Sequence, residues 1–168
     1  DRTSRGLGDV YKRQDIIIPV GNGSLLIGAV KAYEELIKLK KISNMPKMHC
    51  IQVEGFSPIV KKFNSSEWKF NEFSKTLAGG IAVSNPPRLN QVIESIRNSN
   101  GKAIEVSEAN ILNWHKELAS WGFLSEITCA AALAGTEKLI ESGVINEKSN
   151  IVIPITGSGL KDLDKVNF

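Results

Sequence analysis

Three features of the sequence predict an α/β fold: a three-layer arrangement built on a mainly parallel, twisted sheet with helices on both faces. Strand-like and helix-like segments alternate along the chain. The runs IIIPV at 16–20 and IVIPI at 151–155 show no polar alternation, so both read as strands buried on two faces. No tight hairpin separates the first two strands, so a helix makes the crossover to a parallel neighbour. At 168 residues, 42% hydrophobic and 23% charged, the chain has the size and make-up of one globular domain.

The elements follow in order. An apolar strand at 15–20 leads to a helix over about 25–41, with Leu26, Val30, Tyr33, Leu36 and Ile37 on one face. HCIQVEG at 49–55 is the next strand, completing a βαβ unit. Residues 56–78 read as irregular surface chain, apart from a short helix from Pro58. In SNPPRLNQVIESIRNSNG, Ser84 or Asn85 as cap, prolines in the first turn and Gly101 at the end predict a helix. Then come a strand at 102–107, a helix at 108–121 capped by Ser107, a short strand at 122–126 and a helix at 128–142 closed by Gly143. The last strand is 150–155.

Residues 1–14, DRTSRGLGDVYKRQ, have neither a helical nor a strand period and stop abruptly against a strong strand signal. They are expected to be a non-native or disordered leader. Residues 15–168 are then the C-terminal portion of a larger domain, truncated on its N-terminal side. A sheet cut at its first strand exposes an apolar edge, so poor solubility is expected.

Several function classes are disfavoured. Of the net charge of +3, the leader supplies +2, leaving +1 for the rest, which is no footprint for nucleic acid. Trp114 and Trp121, seven residues apart, predict a buried helix face rather than base-stacking platforms. No apolar run approaches the roughly 18 residues of a membrane span, and a cytoplasmic protein is expected. Cys50 and Cys129 lack metal-ligand spacing and read as buried free thiols. His49 and His115 have no triad spacing and read as packing or surface histidines.

The informative segments are two glycine turns, each at the carboxyl end of a predicted strand, where open α/β sheets bind ligands. VGNGSL follows the first strand and ITGSGLKD the last. In the first, glycines let backbone N–H groups approach an anion, and the helix beginning near Ser24 adds its positive dipole end. Phosphate suits that turn. The nucleotide motifs fail, because Leu26 stands where a dinucleotide fingerprint needs glycine and no Walker Lys-Ser/Thr pair is present. In the second turn, Thr156 offers one neutral hydroxyl, able to hydrogen-bond a heteroaromatic nitrogen without requiring its protonation. Each turn, taken alone, is equally well a plain connection.

Taken together, PVGNGSLLIG at 19–28, QVEGFSPIVKKF at 52–63, TLAGGIAVSNPPR at 76–88, GFLSEITCAAALAG at 122–135 and PITGSGLKD at 154–162 carry a resemblance across 15–168. In this order the blocks resemble the threonine synthase family, within the fold type II (tryptophan synthase β-like) enzymes that use pyridoxal phosphate. The resemblance implies that Gly21, Asn22, Gly23, Ser24 and Leu25 cradle the cofactor's phosphate and that Thr156 faces its pyridine nitrogen. Gly79-Gly80 corresponds to the glycine segment beside the ring. Glu126 corresponds to the acidic residue before a Pro-Thr-Ser run, although here that run is Ile127-Thr128-Cys129.

The implied reaction converts O-phosphohomoserine to threonine: phosphate leaves by γ-elimination and water adds at the β carbon. The cofactor supplies the electron sink and the protein fixes the ring. The resemblance places the family's cofactor-anchoring lysine well upstream of the phosphate turn, and nothing before Asp15 is expected to provide it, since Lys12 lies in the leader only nine residues from Gly21. Lys31, Lys38, Lys40 and Lys41 read as a solvated helix face. The chain alone is therefore expected to be inactive, with no catalytic residue of its own, a small molecule as the whole enzyme's partner, and a homodimer allowed. Two alternatives stand: another fold type II eliminase or synthase, such as threonine dehydratase or cysteate synthase, or a non-enzymatic α/β module binding phosphorylated ligands.

Overall fold

The structure is a computed structural model and describes residues 14–146 and 148–163. Apart from Gln14, the expected leader lies outside the described residues. Strands β1 (Gln14–Pro19), β2 (Lys47–Val53), β3 (Ala103–Val106) and β4 (Asn150–Val152) form one parallel sheet in the order β3-β2-β1-β4. Helices α1 (Ser24–Lys38), α2 (Pro58–Phe63) and α3 (Leu89–Asn98) cover one face, while α4 (Glu108–Ser120) and α5 (Ile127–Glu141) cover the other. The three-layer α/β class is thus the one observed.

Alternation along the central strands feeds two cores. Ile16 and Ile18 of β1, with Met48 and Cys50 of β2, pack against Leu26, Ile27, Val30, Ile59, Val92 and Ile96. On the other face Ile17, Ile51 and Val53 meet Ile111, Leu118 and the apolar run of α5. Every residue of α5 from Ile127 to Gly135 is buried, the mark of a helix apolar all round. Gly135 is required there, because a Cβ would collide with the Ile51 side chain.

Several expected boundaries move. The helix expected from Ser84 begins at Leu89: Asn85 and Pro86 each precede a proline and are pushed out of the helical region, so this stretch forms a turn closed by Leu89 N–H donating to Pro86 O. At its far end Asn100 (φ 56) takes the left-handed position, leaving Gly101 packed so tightly on the Met48 backbone that no Cβ fits. Residues 122–126 make no strand but a single antiparallel bridge, Ser125 to Ser158. Ser107 caps α4 as expected, accepting from Asn110 N–H, and Gly143 (φ 71) ends α5.

The last strand is also corrected. It runs only over Asn150–Val152 and is not buried on both faces, because β1 is its one partner among the described residues; Val152 and Ile155 are 43% and 45% exposed. Trp121 departs from the expected buried face too, at 57% exposed, with its ring edge-on to Trp114. Leu36 likewise faces outward, while Leu26 and Val30 are buried as expected and Ile27 is buried with them.

Both cysteines are buried and free. His49 is a packing histidine: Nε2–H donates to Asp15 Oδ1 at 2.8 Å and Nδ1 accepts from Lys102 N–H at 3.2 Å. Burial pushes this imidazole below its usual range against the opposing pull of the Asp15 hydrogen bond, which matches the neutral tautomer those contacts require. At the β3 edge, burial would raise the Glu105 carboxyl, but hydrogen bonds from Lys61 and Ser57 and the charges of Lys61 and Lys138 outweigh it and hold it below the ordinary value. No helix among the described residues is long and apolar enough to cross a membrane.

Candidate cofactor site

The first glycine turn leaves the carboxyl end of β1 and opens directly into α1. Gly23 is the N-cap of α1 with φ 86 and ψ 3, so Ser24 is the first helical residue and not the cap. The first intrahelical bond is Ile27 N–H to Gly23 O, and the N–H groups ahead of it have no partner within the helix. No side chain caps this end and no acidic residue stands in the first turn. This end presents bare donors and a positive dipole end; α3 also starts without a side-chain cap, so it is the slim glycine turn ahead of α1 that sets this terminus apart.

An open pocket of about 280 Å³ lies over these groups, lined by residues 18–26 and Gly80. All five residues expected to hold phosphate, Gly21, Asn22, Gly23, Ser24 and Leu25, line it. Gly21 and Gly23 are buried, whereas Asn22, Ser24 and Leu25 reach outward. A Cβ on Gly21 would stand 2.6 Å from Gly80 O and 3.1 Å from Val83 Cγ2, and one on Gly23 would collide with Val92 Cγ2. Slimness is therefore built into both positions, and the donor set fits a phosphate group.

Gly79–Ile81 forms a short 3-10 turn beside this pocket. Gly80 N–H donates to Thr128 Oγ1 at 3.1 Å, which ties the turn to the first residues of α5. The next residue, Cys129, places its Sγ 3.8 Å from Thr156 Oγ1. A continuous run of contacts thus joins the two glycine turns: Gly21 to Gly80, Gly80 to Thr128, then Cys129 to Thr156. The Ile127-Thr128-Cys129 run, where the sequence leaves the family pattern, is the bridge between them.

Thr156 is exposed and lies beyond Pro154, outside β4, so its hydroxyl is available to a ligand. Glu126 caps α5 from the other side: its N–H donates to Gly157 O at 3.0 Å, and its carboxylate covers Gly157 so closely that a Cβ there would overlap it. Asp162, at the end of the second glycine turn, accepts from Ile127 N–H at 3.1 Å through Oδ2, finishing the same helix terminus. Lys31, Lys38, Lys40 and Lys41 are exposed, and among the described residues no lysine lines the glycine pocket. Among the described residues no cluster of His, Cys, Asp and Glu could hold a metal ion.

Sequence reasoning passed over Gln52. Its side chain is fully buried at the end of β2 and reaches Val20, the residue before the turn. A polar residue inside an otherwise apolar strand was the available signal.

A strand, an uncapped helix N-terminus and a slim glycine turn make a pocket that fits a phosphate group on an α/β sheet, and the comparisons with known proteins give the class of the chain. The chain belongs to the family described as "Pyridoxal-phosphate dependent enzyme", which matches residues 7–157. Pyridoxal phosphate is the cofactor of that family, and the fold is its type II architecture.

More particularly, the chain is similar to threonine synthases. It is 36% identical over 150 residues to that of Methanosarcina acetivorans, covering 88% of this chain and 37% of the relative. The Methanocaldococcus jannaschii threonine synthase is 34% identical over 152 residues, covering 89% and 38%. The chain spans under two fifths of the length of these relatives. Among solved structures, a processed threonine deaminase isoform from Solanum lycopersicum superposes with a TM-score of 0.69 at 21% identity, covering 97% of this chain and 42% of its own. An L-serine ammonia-lyase from Rhizomucor miehei gives the same TM-score and identity over 91% and 49%. At such identities these structures bear on the fold alone.

Proposed function

We propose that the protein carrying this chain is a pyridoxal-phosphate-dependent threonine synthase, converting O-phosphohomoserine and water to threonine and phosphate in the cytoplasm, and that this chain supplies its cofactor cradle. The observation that carries the reading is the uncapped N-terminus of α1, with glycines at 21 and 23 where neither tolerates a side chain. Similarity to threonine synthases at 30–36% identity favours this substrate over those of the deaminases, which share the fold at lower identity.

Bound here, pyridoxal phosphate would supply the electron sink for elimination and replacement at the β and γ carbons. The chain's own residues orient it. The N–H groups at 22–25 take the phosphate oxygens, and the α1 dipole favours their negative charge. The Thr156 hydroxyl would donate to the ring nitrogen without protonating it, with Cys129 Sγ 3.8 Å from its oxygen. Gly80, which lines the pocket over the turn, would leave room for the ring beside it.

The test is to supply the complete polypeptide, loaded with pyridoxal phosphate, with O-phosphohomoserine and measure threonine and inorganic phosphate. Equimolar release of both is expected. Turnover of threonine to a 2-oxo acid and ammonia, with no action on the phosphate ester, would move the protein to the dehydratase reading. Cofactor binding with neither reaction would contradict both.

A further inference from the structure

The block at 52–63 carries part of the family likeness yet contributes no residue to the phosphate turn. Gln52 gives it a role. By alternation along β2, Gln52 shares a face with Met48 and Cys50, so its amide enters the apolar layer beneath α1, α2 and α3. Its relative exposure is 0%. An amide buried there is costly unless paired, and this one is paired at both ends.

At one end Nε2–H donates to Val20 O at 3.1 Å. At the other, Oε1 accepts from Ile59 N–H at 2.9 Å and Val60 N–H at 3.2 Å, the first donors of α2 after Pro58. Val20 immediately precedes Gly21, and its own N–H donates to Ile51 O at 2.8 Å. Two consecutive residues of β2 thus fix both backbone groups of the last residue before the turn. From Val20 onward the chain must place its next N–H groups around an anion while Gly21 clears Gly80 O by the width of a missing methyl group. A small rotation at the Val20 carbonyl would be passed directly to Gly21.

We propose that Gln52 is a positioning residue for the cofactor phosphate: its amide pins the Val20 carbonyl and so sets the path of the 21–25 turn, with α2 as the rigid anchor behind it. The inference rests on the reading of that turn as the phosphate seat. Gln52→Met keeps the length and removes both pairings. Gln52→Asn keeps an amide too short to span them, and serves should methionine prevent folding. Leu139→Ala, in the buried far half of α5, is the control that lowers stability away from the turn.

Each is made in the complete polypeptide, and pyridoxal phosphate affinity and the 31P shift of the bound phosphate are measured well below every melting temperature. Both Gln52 variants are expected to weaken the cofactor about tenfold or more and to move the 31P signal, as loss of the buried hydrogen bond that holds Val20 O would. Leu139→Ala should leave both near their unsubstituted values. Gln52 variants that match the unsubstituted protein in affinity and 31P shift, or a control that weakens binding as much as they do, would overturn the proposal. Absence of any phosphate signal at the site in the unsubstituted protein would instead overturn the reading of the turn, and this proposal with it.

Discussion

Gly23→Ala is expected to destabilise the protein by about 2–4 kcal/mol, the joint cost of a left-handed conformation for a non-glycine residue and of an overpacked core. The φ of 86 leaves no relaxed conformation for alanine, and the added methyl group would collide with Val92 Cγ2. Val92 is fully buried on α3, branched at Cβ, and has nowhere to turn. Relief would have to come from shifting the turn itself, which moves the N–H groups at 22–25 away from their convergence. Loss of cofactor should therefore accompany loss of stability.

Gly28→Ala is the internal control. That residue is exposed on α1, without a positive φ and with nothing near its Cβ position, so alanine should stabilise it by up to about 1 kcal/mol. Urea unfolding and a cofactor titration on both variants check the pair. A Gly23→Ala variant as stable as Gly28→Ala would show that the turn is not constrained as described.

The second large effect concerns the chain by itself. Incubated with pyridoxal phosphate and reduced with borohydride, these 168 residues are expected to give scattered surface adducts and threonine formation no higher than a blank. Among the described residues no lysine lines the glycine pocket, and those of α1 are exposed to solvent. Peptide mapping checks this. A stoichiometric adduct at one lysine, Lys161 after the second turn included, would show that the chain carries its own anchoring residue.

Local chemistry made much of this legible in advance. The Ile16-Ile17-Ile18 run could only be a doubly buried strand, and the polar glycines after it with a helical period beyond could only be a strand-to-helix turn. Ser107 and Gly143 marked helix ends through capping chemistry that acts within a few residues. Where the reading failed, the cause was local backbone geometry at α3 and a non-local term elsewhere. Two prolines in succession delayed α3, and β4 stops after three residues and lies open because, among the described residues, β1 alone pairs with it. Gln52, Thr128 and Cys129 act across separations of 32, 48 and 27 residues, which no periodicity records. The two turns could be recognised separately, but the bridge between them through α5 needed the fold.

The most direct test of the cofactor cradle is a crystal structure of the complete polypeptide grown with pyridoxal phosphate. The expected density places the phosphate oxygens within about 3 Å of backbone nitrogens in residues 22–25, with the ring nitrogen facing Thr156 Oγ1 at hydrogen-bond distance. A cofactor bound elsewhere on the sheet, or one whose phosphate is held by side chains while the 21–25 turn stays bare, would contradict it.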